Sequence, residues 1–275
     1  MKPQAIKNRS PLAIDAENER EEEEREFPPP DRSKLFYKFR SLDAAGLTLK
    51  GLSDRTIWCS HFRRFNDLFE FRFEFDRHPA KTDVVFEQWR RDFPQHAATM
   101  SRKMVPIYAI EILKSMLEEF GISCFSRDPL NPLLWSYYAD SYRGVSLGFE
   151  FPAAGDNVFT IDSMHQVQYR QSPRRFDVLM LKDRTQIFQK LIPYVTTKHR
   201  IWKHEAEWRY VRSEFADKAV TFPSESLKEV VFGPGTPNEA RQSIRDICRQ
   251  NGMSPYFASV EMNSWSYTLG INRAY

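Results

Sequence analysis

G-V-S-L-G-F-E-F, residues 144–151, sets Val145, Leu147, Phe149 and Phe151 on one side and Ser146, Gly148 and Glu150 on the other. A period of two predicts a half-buried strand rather than a helix. Upstream, L-F-Y-K-F (35–39), T-I-W-C-S (56–60) and I-S-C-F-S (122–126) are short, rich in β-formers and bounded by polar residues, so they read as further strands. Downstream, a strand near 166–170 and the segments E-W-R-Y-V-R (207–212) and K-E-V-V-F-G (228–233) complete that set. Helices are expected over 43–52, over 83–120 with Gly121 ending the run, and over 174–203 with an interruption at Pro193. N-P-L-L-W-S-Y-Y-A-D (131–140) reads as a short helix or turn, and F-N-D-L-F-E (65–70) as a turn. The last helix carries Thr236 as N-cap, Pro237 at its first position, Glu239 completing a capping box and Gly252 past its end. Strands and helices mix without strict alternation, which predicts an α+β fold with a mixed or antiparallel split sheet and flanking helices.

Composition narrows the class. With 275 residues, 41% of them hydrophobic, residues 34–275 can form one α+β domain with a substantial core. Residues 1–33 hold seven Glu between Glu17 and Glu26 and then Pro28, Pro29 and Pro30, the composition of a disordered tail. The net charge is only +3, but that acid is concentrated in the tail, so the body is basic and suits phosphate-bearing ligands. Cys59, Cys124 and Cys248 are too scattered for a disulfide framework or a zinc site. The histidines show no metal-ligand spacing, so no metal is expected. The absence of a signal core or an apolar run of membrane length predicts a cytoplasmic protein with no membrane partner; export by a machine reading no such signal stays open.

T-K-H-R-I-W-K-H-E-A-E-W-R-Y-V-R (197–212) holds the chemistry. On a strand, residues two apart share a face, so Glu205 and Glu207 would meet if the strand began before Glu205. Adjacent carboxylates repel, and a chain keeps them when cations neutralise them or a site uses them. Arg200, Lys203, Arg209 and Arg212 lie close in sequence, so a solvated charge cluster is the plain reading. Asn66 and Asp67 suit a ribose or base contact and equally an ordinary turn. Trp135, Tyr137, Tyr138 and Tyr142 suit either core packing or stacking on a planar ligand.

The order of parts resembles the ADP-ribosyltransferase superfamily: Tyr37, Lys38 and Arg40 on the first strand, Ser126 on a middle strand, and the late Glu205-x-Glu207 pair. That resemblance implies NAD as substrate, Lys38 or Arg40 on its phosphates, and Ser126 with Trp135, Tyr137 or Tyr138 around the nicotinamide. Glu207 would be catalytic, stabilising the ribosyl cation, and Glu205 would orient a protein or nucleic-acid acceptor. Bacterial members are often toxins, delivered effectors or phage-defence proteins, a context carried by the resemblance alone.

Y-K-F-R (37–40), F-N-D-L-F-E (65–70), C-F-S (124–126), L-W-S-Y-Y-A-D-S-Y-R-G-V-S-L-G-F (134–149) and K-H-R-I-W-K-H-E-A-E-W-R (198–209) resemble, over nearly all of residues 34–260, a bacterial family known as domain of unknown function 2971. The chain departs from that pattern at Leu68, where Pro is expected, and at Tyr137, where His is common. A different class fits the basic body and aromatics too: a non-catalytic module binding a nucleotide or nucleic acid. A nuclease or phosphodiesterase would need metal-binding acids or a His pair that the sequence does not assemble.

Overall fold

The computed structural model describes residues 29–43, 45–76, 78–153, 158–182 and 187–274. In chain order the elements are β1 (Phe36–Arg40), α1 (Leu47–Ser53), β2 (Thr56–His61), β3 (Phe73–Asp76), α2 (Pro79–Asp92), α3 (Val105–Glu118), β4 (Gly121–Ser126), α4 (Pro132–Tyr138) and β5 (Val145–Phe149). There follow β6 (Met164–Gln166), β7 (Gln168–Arg170), β8 (Arg174–Asp177), α5 (Ile187–Val195), β9 (Thr197–His199), β10 (Glu207–Arg212), β11 (Lys218–Thr221), β12 (Leu227–Phe232), α6 (Asn238–Gln250), β13 (Tyr256–Met262) and β14 (Leu269–Arg273). This is the α+β class, with a mixed, open sheet.

The main sheet is organised around β4. On one edge, β10 pairs with its whole length, Glu207 opposite Ser126 through Arg212 opposite Gly121, and β6 lies beyond β10. The other edge is shared by two strands that diverge: β2 meets β4 at Gly121 and Ile122, and β1 meets it at Ser126. Neither pairs with Ser123–Phe125, so the sheet forks there. β11 continues the β2 branch, and β5, β12, β13 and β14 continue the β1 branch. Among the described residues, only the β12–β13 pair of this sheet is parallel, bridged by α6.

β5 is buried on both faces rather than half-buried, because β1 and β12 flank it and both sheet faces are covered. Gly144, just before it, lies where an added Cβ would come 2.1 Å from Arg40 O. Gly144→Ala is therefore expected to destabilise the fold by about 1–3 kcal/mol, as overpacked sites do, read as a lower denaturation midpoint in urea. On α3, Val105, Ala109, Leu113 and Leu117 recur every fourth residue and bury one face in a core shared with α2, α5 and the β4–β10 ladder.

Several expectations change. The helical text of 83–120 is two helices, separated around Pro94, which lacks the N–H that would continue α2. Gly121 does not cap α3 but opens β4, where a Cβ would lie 2.1 Å from Phe215 O. The region 174–203 contains β8, α5 and β9, and Pro193 sits inside α5 two residues from its end rather than breaking it. The Thr236 hydroxyl donates to Gly144 O (2.7 Å) instead of capping α6, whereas Gly252 follows α6 with φ +66°. β3, β11, β13 and β14 are strands beyond those expected. Of the expected tail, residues 1–28 lie outside the described residues. Asp31–Lys34 belong to the folded part: Asp31 caps a 3₁₀ turn, and Arg32 pairs with the buried Glu229 at 2.5 Å.

Candidate functional site

The fork between β1 and β2 opens into a cavity of about 410 Å³, within the range of small-molecule sites. Register brings three expected residues into line across it. Tyr37 on β1 is opposite Ser126 on β4, which is opposite Glu207 on β10. Lys38, Arg40, Asn66, Tyr138 and Glu205 also border the cavity.

Glu205 and Glu207 come together by a different route from the one a strand would give. Glu205 ends a 3₁₀ turn (Arg200–Glu205), Ala206 is left-handed (φ 45°, ψ 45°), and only Glu207 belongs to β10. The turn is pinned from outside: Ser126 Oγ donates to Glu205 O (2.8 Å), and Asn131 Nδ2 donates to His204 O. Both carboxylates are buried and reach one amine, that of Lys198, at 2.5 Å from Glu205 and 2.8 Å from Glu207.

The pair belongs to a five-member cluster. Arg209 Nε bonds Glu207 at 2.8 Å, and its Nη2 bonds Glu70 at 2.8 and 2.9 Å. Lys198 also stands 3.5 Å from Glu70. Tyr138 donates its hydroxyl to the remaining oxygen of Glu205 at 2.8 Å. With every group ionised, three carboxylates face two cations, which leaves one negative charge beside the cavity. Burial acts to raise the Glu207 pKa, but Arg209 and Lys198 outweigh it and hold that carboxyl at about 2. Glu70 moves the other way, burial pushing its pKa up against the pull of Arg209. Lys198 is raised, its three carboxylates overcoming its burial.

The same lining carries the cations Lys38 and Arg40. Lys38 Nζ reaches into the unpaired edge of β4, donating to Ser123 Oγ (2.7 Å) and Cys124 O (3.2 Å). Burial, and then the neighbouring Arg40, lower its pKa to about 8. Arg40 donates its Nε to Thr48 Oγ1 at 3.3 Å. Neither cation has a carboxylate within 4.0 Å among the described residues.

Two of the expected ligand contacts fail. Trp135 is fully buried, donates Nε1 to Pro129 O (2.8 Å) and packs edge-on against Phe39, so it stacks on protein and does not border the cavity. Tyr137 projects outward, 56% exposed, and is absent from the cavity wall; its neighbour Tyr138 takes the inward position. Tyr37 borders the cavity but commits its hydroxyl to Glu229 at 2.7 Å. Of the cations expected to balance the glutamates, Arg209 does so, while Arg200 and Lys203 are exposed and Arg212 lies over Phe215. Lys198 and Glu70 were missed. Glu70 ends F-N-D-L-F-E and Lys198 begins K-H-R-I-W-K-H-E-A-E-W-R, but nothing in spacing says that residues 70 and 198 meet at 209.

No helix among the described residues is long and apolar enough to cross a membrane. No curated protein and no solved structure matches the chain. The comparisons lend no support to the ADP-ribosyltransferase likeness, which rests on the order of the motifs. From α4 to β10, however, residues 134–210, a stretch containing Tyr138, Lys198, Glu205, Glu207 and Arg209, match a family described as Protein of unknown function (DUF2971), which supports the family resemblance read from those motifs.

Proposed function

We propose that the chain binds NAD across the sheet fork and transfers ADP-ribose to a macromolecular acceptor. One observation carries the reading: a single cavity is lined both by Glu205 and Glu207 with their shared Lys198 and by Lys38 and Arg40, neither of which has a carboxylate within 4.0 Å among the described residues. Breaking the bond between the nicotinamide nitrogen and ribose C1′ releases neutral nicotinamide and leaves positive charge on the ribose. A fixed, desolvated negative charge stabilises that state. The acceptor nucleophile then bonds C1′ and gives up its proton.

A second, more apolar cavity of about 540 Å³ adjoins the first and shares Lys38, Arg40, Trp58, Ser60 and Arg64 with it. This arrangement suits a dinucleotide whose diphosphate lies at the shared cationic neck. The test is incubation with NAD labelled in its adenylate half, in the presence of lysate. Released nicotinamide with label on a macromolecule is expected. NAD that stays bound and intact would instead support a non-catalytic nucleotide-binding module, a reading favoured by the engagement of both Glu207 oxygens with Lys198 and Arg209.

Lys38 gives the neck a pH signature. Its ammonium is lost as pH rises through about 8, so affinity for the diphosphate should fall across that range. A charged hydrogen bond is worth about 1.5–3 kcal/mol, so calorimetry with ADP-ribose should show dissociation constants roughly 10- to 100-fold weaker at high pH than below neutrality. Lys38→Arg, which stays protonated, should flatten the profile.

A further inference from the structure

Three chain segments meet at the mouth of the carboxylate cavity, and each leaves apolar side chains in solvent. The 65–70 turn exposes Leu68 (83%) and Phe69 (64%), the 200–205 turn exposes Ile201 (68%), and α4 exposes Tyr137 (56%). The segments are tied to one another. The Phe69 ring lies 6.4 Å from that of His199, which leads into the second turn, and Asn131 and Tyr138 of the α4 region bond His204 O and Glu205. Glu70, next to Phe69, closes the set by binding Arg209. Exposed apolar side chains on each of the three segments that border the cleft form a collar, and such a grouping marks a docking surface.

Its charges say what docks. The exposed charged side chains within 68–72, 133–137 and 200–204 are Arg72, Arg200 and Lys203, all basic. Arg72 lies over the Phe69 ring at 5.1 Å, extending the apolar face under a positive rim. A second copy is a poor fit, because a two-fold contact would set this rim against itself. Single-stranded nucleic acid is also a poor fit: it binds by stacking on aromatic rings, and the two most exposed side chains here, Leu68 and Ile201, have none.

We infer that the collar is the acceptor-docking surface and that the acceptor is a protein presenting an apolar knob ringed by acidic side chains. The inference rests on the functional reading above, since it names the acceptor of that same cavity. Leu68→Asp and Ile201→Asp change exposed positions outside the catalytic cluster. Each should lower labelling of lysate proteins from labelled NAD at least about tenfold, the loss of one interface anchor. Hydrolysis of NAD by water without lysate should stay within about twofold, as for ordinary surface changes. Unchanged protein labelling, nuclease-sensitive label, or label on the chain alone would overturn the inference.

If the wild-type chain turns over no NAD, the functional reading fails, and the collar is judged by a second measurement. A photo-crosslinking benzoylphenylalanine replacing Tyr137 in the full chain must then form an adduct with a protein identified by mass spectrometry as acidic. Leu68→Asp must abolish that adduct. Adducts with nucleic acid, with a second copy, or with nothing sink the proposal.

Discussion

Arg209→Met is expected to cost about 3–5 kcal/mol, the penalty for removing one partner of a buried ion pair, and so to leave little folded protein at moderate denaturant. The guanidinium is fully buried and bonds Glu207, Glu70 and the Val195 carbonyl at once. Without it, three carboxylates would face Lys198 alone, two charges short of balance. Adding Glu70→Gln should return part of the loss, because the two sites share the interaction and their effects cannot add. Urea unfolding followed by circular dichroism reads both variants. A loss under about 1 kcal/mol for Arg209→Met would show that the cluster does not carry the weight given to it, since that is the range of exposed pairs.

Glu207→Gln should leave the protein folded, with a lower urea midpoint because Arg209 and Lys198 each lose a partner, and lower NAD turnover by a factor of roughly 10²–10³, the usual cost of removing one preorganised electrostatic group. The charge count explains both halves. Losing this carboxylate leaves Glu70 and Glu205 against Lys198 and Arg209, a balanced set, so burial remains tolerable. The same change removes the net negative charge that would stabilise the ribosyl cation. The check is release of nicotinamide at saturating NAD, alongside the urea midpoint of the same protein. Turnover unchanged in a folded variant would remove Glu207 from the chemistry.

Much of this arrangement was legible because it follows from local pattern. The strands holding Lys38, Ser126 and Glu207 announce themselves by alternation and β-branched or aromatic content. What the pattern could not supply was pairing. β4 shares its free edge between two strands, and that fork, which creates the cavity, comes from registers that no single segment encodes. Trp135 and Tyr137 were misjudged for a related reason: on a seven-residue helix, a one-position rotation decides which ring faces the core, which the solvent and which the cavity. The long helical reading of 174–203 failed because a short parallel pairing, β3 with β8, overrides local propensity there.

Ala206 places a constraint on any chain that would share this cluster. An extended E-x-E would set its two acids about 6.6 Å apart along a strand, each with its own neighbours. Here the middle residue reverses the backbone instead, and two carboxylates converge on a single lysine. That conformation costs an L-residue roughly 1–2 kcal/mol and is worse still for a branched side chain. Searches that accept any residue between the glutamates will therefore gather many ordinary strands. Those requiring Gly, Asn, Asp or Ala at that position, with a lysine seven residues ahead of the first acid, will select for the same geometry.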